Sequence, residues 1–496
     1  MSLSICTGCL ARLCITQRAP SIPSRTFSTT NPQAGSPTSR KIKSTKAPYR
    51  SSLTFNRSRR PRVVPKLPMI GERKALRKRI VISNTNALEV QGLQDLNVKN
   101  MVDETQIGQM LALNEELLDH LRDVRAFKPT QNWNMFRKPS TLMRRESVEL
   151  GRAILDVSAG RAEERPRTVR RIIAGERGTG KSLMLLQAMS MAFLNDWVVI
   201  NVPEGQEYTI AHSAYAPMSI NSERQLSPDQ TAQTASKQSQ GSQEMIYSQP
   251  TLTAELLQRI SKSNENVLKR IPLAHEYKFG DYEPKNLYSL AVVGVEETSL
   301  SWKVWQTLWE ELTSPSERRR PPVLVAIDGI DHWMTLSKYR SADYKPIHAH
   351  QLAPIRHFVE VLFNQNGAGQ LANGGIVLAA TTGSNAPSVP AFELLMKQLD
   401  ARTRGLKMGD DGFPMPQPYK TVDQRVLNLL EGSAELNVQG LKGLEKDVEA
   451  RGLLEYFARS GVFREVVSER TVAEKWSLAG GGVIGELARF GSRLRV

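Results

Sequence analysis

The clearest chemistry in the chain sits in eight residues, GERGTGKS, at positions 175–182. Gly175, Gly180, Lys181 and Ser182 match the spacing G-x-x-x-x-G-K-[ST]. Glycines at 175, 178 and 180 let backbone N–H groups turn toward phosphate oxygens, with Glu176, Arg177 and Thr179 completing the loop. Lys181 supplies a point charge for the terminal phosphates, and the Ser182 hydroxyl can ligate magnesium. A glycine-rich turn with an incidental lysine is the bland alternative. Its chance frequency is on the order of a few per cent for a chain this long. Context lowers it further, because an apolar run (IIA) precedes the loop and a helical run (LMLLQAMSMAFL) follows it.

Asp328 ends the run VLVAI, where a carboxylate can hold the magnesium water shell opposite Ser182. A strand-end Asp that caps a turn has the same local appearance. The next position separates holding a nucleotide from spending it. Many ATPases of this plan place Glu there to activate the attacking water, but here it is Gly329, and the nearest carboxylate is Asp331. A general base must lie within hydrogen-bond reach of its water, so slow or absent hydrolysis is expected. Thr381 and Thr382 end a further apolar run, where they can reach the terminal phosphate or serve as plain turn residues. With no N-K-x-D motif, spacing alone does not choose GTP or GDP over ATP. His348, His350 and His357 cluster without cysteine or an evident carboxylate, so no zinc site is assigned.

These residues need a scaffold. Four apolar runs, around 170–175, 196–203, 321–328 and 374–382, are separated by helical patterns, which predicts a parallel sheet with helices on both faces. Residues 105–125 place Ile107, Met110, Leu111, Leu117, Leu118, Leu121 and Val124 on one stripe, and a second helix is expected over 141–157. Helical spacing returns over 251–270. SWKVWQTLWEEL then puts Trp302, Trp305, Leu308, Trp309 and Leu312 on one face, which reads as core rather than as a base-stacking platform. Residues 219–250 are mostly Ser, Gln, Thr and Ala, a low-complexity insertion expected to be disordered. The fold class expected is α/β, a P-loop NTPase of AAA/ASCE type. Its parallel sheet has flanking helices, a C-terminal helical lid and a disordered basic N-terminal arm. The divisions expected are 1–27, 28–90, 91–160 (helical), 161–415 (nucleotide-binding) and 416–496 (helical).

The formal charge of +16 is concentrated at one end. Of 66 Lys/Arg, 13 precede the first acidic residue, Glu72, and the rest nearly balance 50 Asp/Glu. Residues 1–27 are Ser- and Arg-rich and acid-free, the composition of a mitochondrial presequence, with SRTFS as a processing site. Cys6, Cys9 and Cys14 all lie within it, so its removal leaves no thiol for a disulfide framework. The arm beyond it, with NRSRRPR, suits RNA phosphates, although an extended targeting segment has similar composition. No apolar run approaches the ~18 residues of a membrane span, and no membrane partner is expected. Arg165, Arg167, Arg170 and Arg171 precede one strand run and Arg318, Arg319 and Arg320 another. They are expected at the sheet edge away from the nucleotide, as a second basic face for RNA.

The presequence, GERGTGKSLMLLQAMSMAFLNDWVVINVP, LVAIDGIDHW and the helical C-terminus together resemble the P-loop protein of the mitochondrial ribosomal small subunit, the death-associated protein three family, in a fungal-type version. The resemblance covers most of 90–496 apart from the Ser/Gln insertion. It implies a component binding GTP or GDP with Mg2+, in contact with small-subunit ribosomal RNA and neighbouring small-subunit proteins and near the large subunit. Gly175 to Ser182 would hold the phosphates and Asp328 the magnesium side. Two other classes stay open. One is a mitochondrial NTPase switch outside the ribosome, with Arg489 in GGGVIGELARFG as its phosphate-sensing arginine. The other is a matrix RNA- or DNA-binding factor.

Overall fold

A computed structural model of the chain describes residues 80–159, 168–218, 245–315, 320–364, 370–433 and 435–492. The expected presequence, most of the basic arm, Arg165, Arg167, Arg318, Arg319 and insertion residues 219–244 lie outside them. The described residues fall in one compact unit.

The four expected runs become β1 (Thr168–Gly175), β2 (Val198–Val202), β3 (Val323–Asp328) and β4 (Gly375–Ala380). A fifth strand, β5 (Leu436–Leu441), joins them in the order β5-β1-β4-β3-β2, every pair parallel. Period-2 alternation sends successive residues to opposite faces. Ile172, Ile200, Val325 and Val377 enter one core, covered by α4 (Pro250–Ser263), α5 (Leu287–Glu296), α6 (Ser301–Thr313), α7 (Ala353–Phe363) and α8 (Pro390–Thr403). Ile173, Val199, Leu324 and Leu378 enter the other, beneath α1 (Glu115–Asp123), α2 (Arg145–Ala159) and α3 (Lys181–Leu194). A third, smaller core binds α9 (Arg451–Arg459), α10 (Glu469–Leu478) and α11 (Ile484–Ser492) through Leu454, Phe457, Val472 and Leu487.

Several expectations are corrected. The stripe over 105–125 is not one helix. Met110–Ala112 is a strand paired with Ser140–Leu142, and α1 starts only after Asn114, whose side chain accepts the Leu117 N–H as an N-cap. The chain from 416 on is not wholly helical, since β5 extends the central sheet. The insertion ends earlier than expected. Ile246–Ser248 is a strand paired with Ala216–Met218, with Tyr247 buried.

The second basic face loses two of its arginines to the interior. Arg170 lies within β1, 1 % exposed, and donates to Glu435 at 2.8 Å. Burial pushes its guanidinium below the usual range, and Glu435 opposes that shift. Arg320 is buried in an ion pair with Glu311, whose carboxylate also accepts from the Ala274 N–H and the Tyr277 hydroxyl. Both are structural cations, not groups presented to a phosphate backbone. Arg171 is half-buried. The tryptophans behave as core: Trp305 is 1 % exposed, and His357 sits edge-on to Trp302, Trp305 and Trp309.

Candidate phosphate site

Register brings the expected residues to one edge. β4 lies between β1 and β3, pairing Ala380 with Ile173 on one side and Asp328 on the other. Gly175, Asp328 and Thr381 therefore leave the sheet side by side at its carboxyl end, where parallel α/β sheets bind ligands. From Gly175 the chain turns through the glycine loop into α3, whose N-cap, Gly180, supplies no side-chain cap. The first-turn N–H groups of a helix lack intrahelical partners and favour an anion.

Lys181 is buried, and its Nζ donates to the carbonyls of Gly175 at 2.6 Å and Glu176 at 2.8 Å. Burial pushes its pKa down, while Asp331 and Asp328 oppose that shift. Ser182 Oγ donates to Asp328 Oδ2 at 2.6 Å, joining residues 146 positions apart. A hydroxyl and a carboxylate in contact are hard oxygen donors of the kind magnesium takes. With the open N–H groups of α3, the set fits a magnesium-bound polyphosphate.

A cavity of about 390 Å³ opens over this edge. Arg177, Gly178, Gly180, Lys181, Ser182, Asp328 and Thr381 line it, whereas Gly175, Glu176 and Thr179 shape the loop from behind. The Thr381 hydroxyl reaches the Ile173 carbonyl at 3.5 Å. Asp331 stands off the cavity wall in the turn Ile330–Trp333. It is buried and accepts the Thr382 N–H, and burial pushes its carboxyl above the usual range. Gly329 has φ +85°, a left-handed conformation that penalises any other residue there, glutamate included. Arg489 lines the cavity and donates to Glu486 at 2.8 Å.

Sequence reasoning missed four contributions. The Lys128 ammonium pairs with Asp328 Oδ2 from 200 residues away. The segment behind it adds Trp133, Met135 and Phe136 to the wall. The start of α11 packs directly on the loop, with the Gly485 N–H donating to the Gly178 carbonyl at 2.9 Å. Gly178 has φ +84°, a left-handed conformation that favours glycine, and a Cβ there would lie 3.2 Å from Val483 Cγ1, a tight contact. Arg144, buried, braces the loop by donating to the carbonyls of Thr179 and Lys442, each at 3.0 Å. Lys128, Trp133, Met135, Phe136 and Arg144 belong to no local motif, and GGGVIGELARFG points to Arg489 but not to the contact that Gly485 makes. Only the spacing of Arg144 ahead of an apolar helix was available, and it carries no signal of that role.

The chain was compared with known proteins. The family model described as mitochondrial ribosomal death-associated protein 3 matches residues 141–237 and 231–490. The small ribosomal subunit protein mS29 of Neurospora crassa is 38% identical over 500 residues, spanning 99% of this chain and 98% of that protein. The protein of the same name in Schizosaccharomyces pombe is 24% identical over 368 residues, 73% of this chain and 66% of its own length. That of Bos taurus is 21% identical over 255 residues, 51% of this chain and 55% of its own.

Proposed function

The chain belongs to the mitochondrial ribosomal death-associated protein 3 family, and from that premise we propose that it is a structural component of the small subunit of the mitochondrial ribosome. In this reading it holds a guanine nucleotide with magnesium at the glycine loop, turns it over slowly or not at all, and contacts ribosomal RNA. The ribosomal assignment is carried by the near full-length match to the Neurospora crassa protein. The family gives the chain its address, the mitochondrial matrix ribosome. No helix among the described residues is long and apolar enough to cross a membrane.

The nucleotide reading is supported chiefly by the Ser182–Asp328 contact at 2.6 Å beside an uncapped helix N-terminus. The strand order, with β4 between the loop strand and the Asp strand, fits the AAA/ASCE plan. Slow or absent turnover is what the chemistry favours. Gly329 carries no base, and Asp331 is buried, engaged by the Thr382 N–H and not part of the cavity lining. The bound nucleotide would then act as a brace, joining the sheet edge to α11 across the loop.

The test is nucleotide extraction from the purified protein, with steady-state turnover measured beside it. Guanine nucleotide near one-to-one with negligible turnover is expected. A protein that purifies empty and binds no added nucleotide would contradict the reading. Turnover that Lys181→Ala abolishes would instead favour an NTPase switch, for which Arg489 on the cavity wall is the available cation.

A further inference from the structure

Asp328 carries a counterion that no motif supplies. Its Oδ2 accepts both the Ser182 hydroxyl and the Lys128 ammonium. The Asp328 side chain is only 8% exposed, too deep for a carboxylate to be left without a compensating charge. The other charges around it are engaged: Lys181 on the carbonyls of Gly175 and Glu176, Asp331 on the Thr382 N–H, and Arg489 on Glu486. Arg177 lines the cavity from the exposed tip of the loop.

We infer that Lys128 is an internal cation that holds the magnesium position when the site is empty and competes with the metal for Asp328. This rests on the nucleotide reading above. The arrangement suits exchange. The Lys128 side chain is 32% exposed, on a flexible four-carbon stem. Its backbone, by contrast, is fixed. The Lys128 N–H donates to Gln131 Oε1 at 2.8 Å, and neighbouring Phe127 packs edge-on to Trp133 at 5.2 Å between ring centres. The ammonium can therefore leave Asp328 while the wall stays in place.

An ammonium and a divalent ion in contact with one carboxylate oxygen repel each other strongly in a buried site. Metal entry thus gives up an ion pair, which offsets part of what the metal gains. Without metal, the same ammonium faces the terminal phosphate and supports nucleotide binding directly. The consequence is a nucleotide affinity that depends only weakly on magnesium.

The experiment titrates the full-length protein, Lys128→Met and Lys128→Arg with fluorescent mant-GDP, in magnesium and in EDTA. For the unmodified protein and Lys128→Arg, the two affinities are expected within about threefold of each other. For Lys128→Met, binding in magnesium is expected to be at least about tenfold tighter than in EDTA. Thermal melts check that each variant is folded, and Lys128→Gln is read by the same criterion if Lys128→Met is not. Equal magnesium dependence in the unmodified protein and the neutral variant overturns the inference and leaves the nucleotide reading intact. No binding by any of the proteins in either buffer overturns both.

Discussion

At the scale of single residues, the account divides holding from spending. Lys181 donates to loop carbonyls, and burial disfavours its charge there, so a phosphate that replaces those contacts gains a charge-assisted partner. Lys181→Ala is expected to weaken mant-GDP binding at least about tenfold; an unchanged titration would show that the loop does not grip phosphate. Gly329→Glu introduces the acid that many ATPases of this strand plan place after the magnesium Asp. At φ +85° the substitution is expected to cost about 1–2 kcal/mol of stability, seen as a lower melting temperature, without bringing efficient turnover. Vigorous turnover in a variant of undiminished stability would contradict that. The glycine loop and Asp328 were legible in the sequence because each is marked locally, one by spacing and one by its place at the end of an apolar run. Lys128 was not, because its role is created by a contact across 200 residues.

At the scale of elements, strands buried on both faces announce themselves as apolar runs, and β1 to β4 did so. β5 did not. It is an edge strand in which Asn437, Gln439 and Gly440 interrupt the pattern and only its end leucines are buried. The stripe over 105–125 misled for a different reason. Apolar residues of a strand and of the helix after it can fall on one helical face by chance, and the Asn114 cap between them decides where the helix starts. The tryptophan face of α6 is core, so Trp305→Ala is expected to lower stability by about 3–5 kcal/mol and leave RNA affinity, measured on the folded fraction, unchanged. Packed against it, His357 is held neutral by burial, its pKa pushed down to about 4. His350 is pushed down to about 3, chiefly by burial and then by the charges of His348, Arg425 and Arg356. Both titrate near 6.5 when unfolded, so between those limits the unfolded chain binds more protons. Their neutral-state stabilisation is therefore complete above pH 6.5 and lost as pH falls toward 4 and 3. Melting temperature is expected to fall from pH 7 to pH 5, and less steeply in His357→Gln; equal slopes would exclude His357 as a source of the acid sensitivity.

At the scale of the whole molecule, the net charge of +16 concealed a nearly balanced body behind an acid-free tail. The structure sharpens that asymmetry by turning Arg170 and Arg320 inward into ion pairs with Glu435 and Glu311. RNA contact through the edge before β1 and β3 then rests on fewer groups than the sequence suggested. The fold joins what the sequence divided: N-terminal strands, central sheet and C-terminal helices form one unit, and Gly178, Gly485 and Arg144 lie where its parts meet the loop. The central claim is that a nucleotide braces a ribosomal component. Its most direct measurement is a sucrose gradient of a magnesium-containing mitochondrial lysate, following this protein and the nucleotide released from each fraction. The account predicts that the protein travels wholly with the small subunit and releases guanine nucleotide near one-to-one. A protein that stays in the light fractions without nucleotide would contradict it.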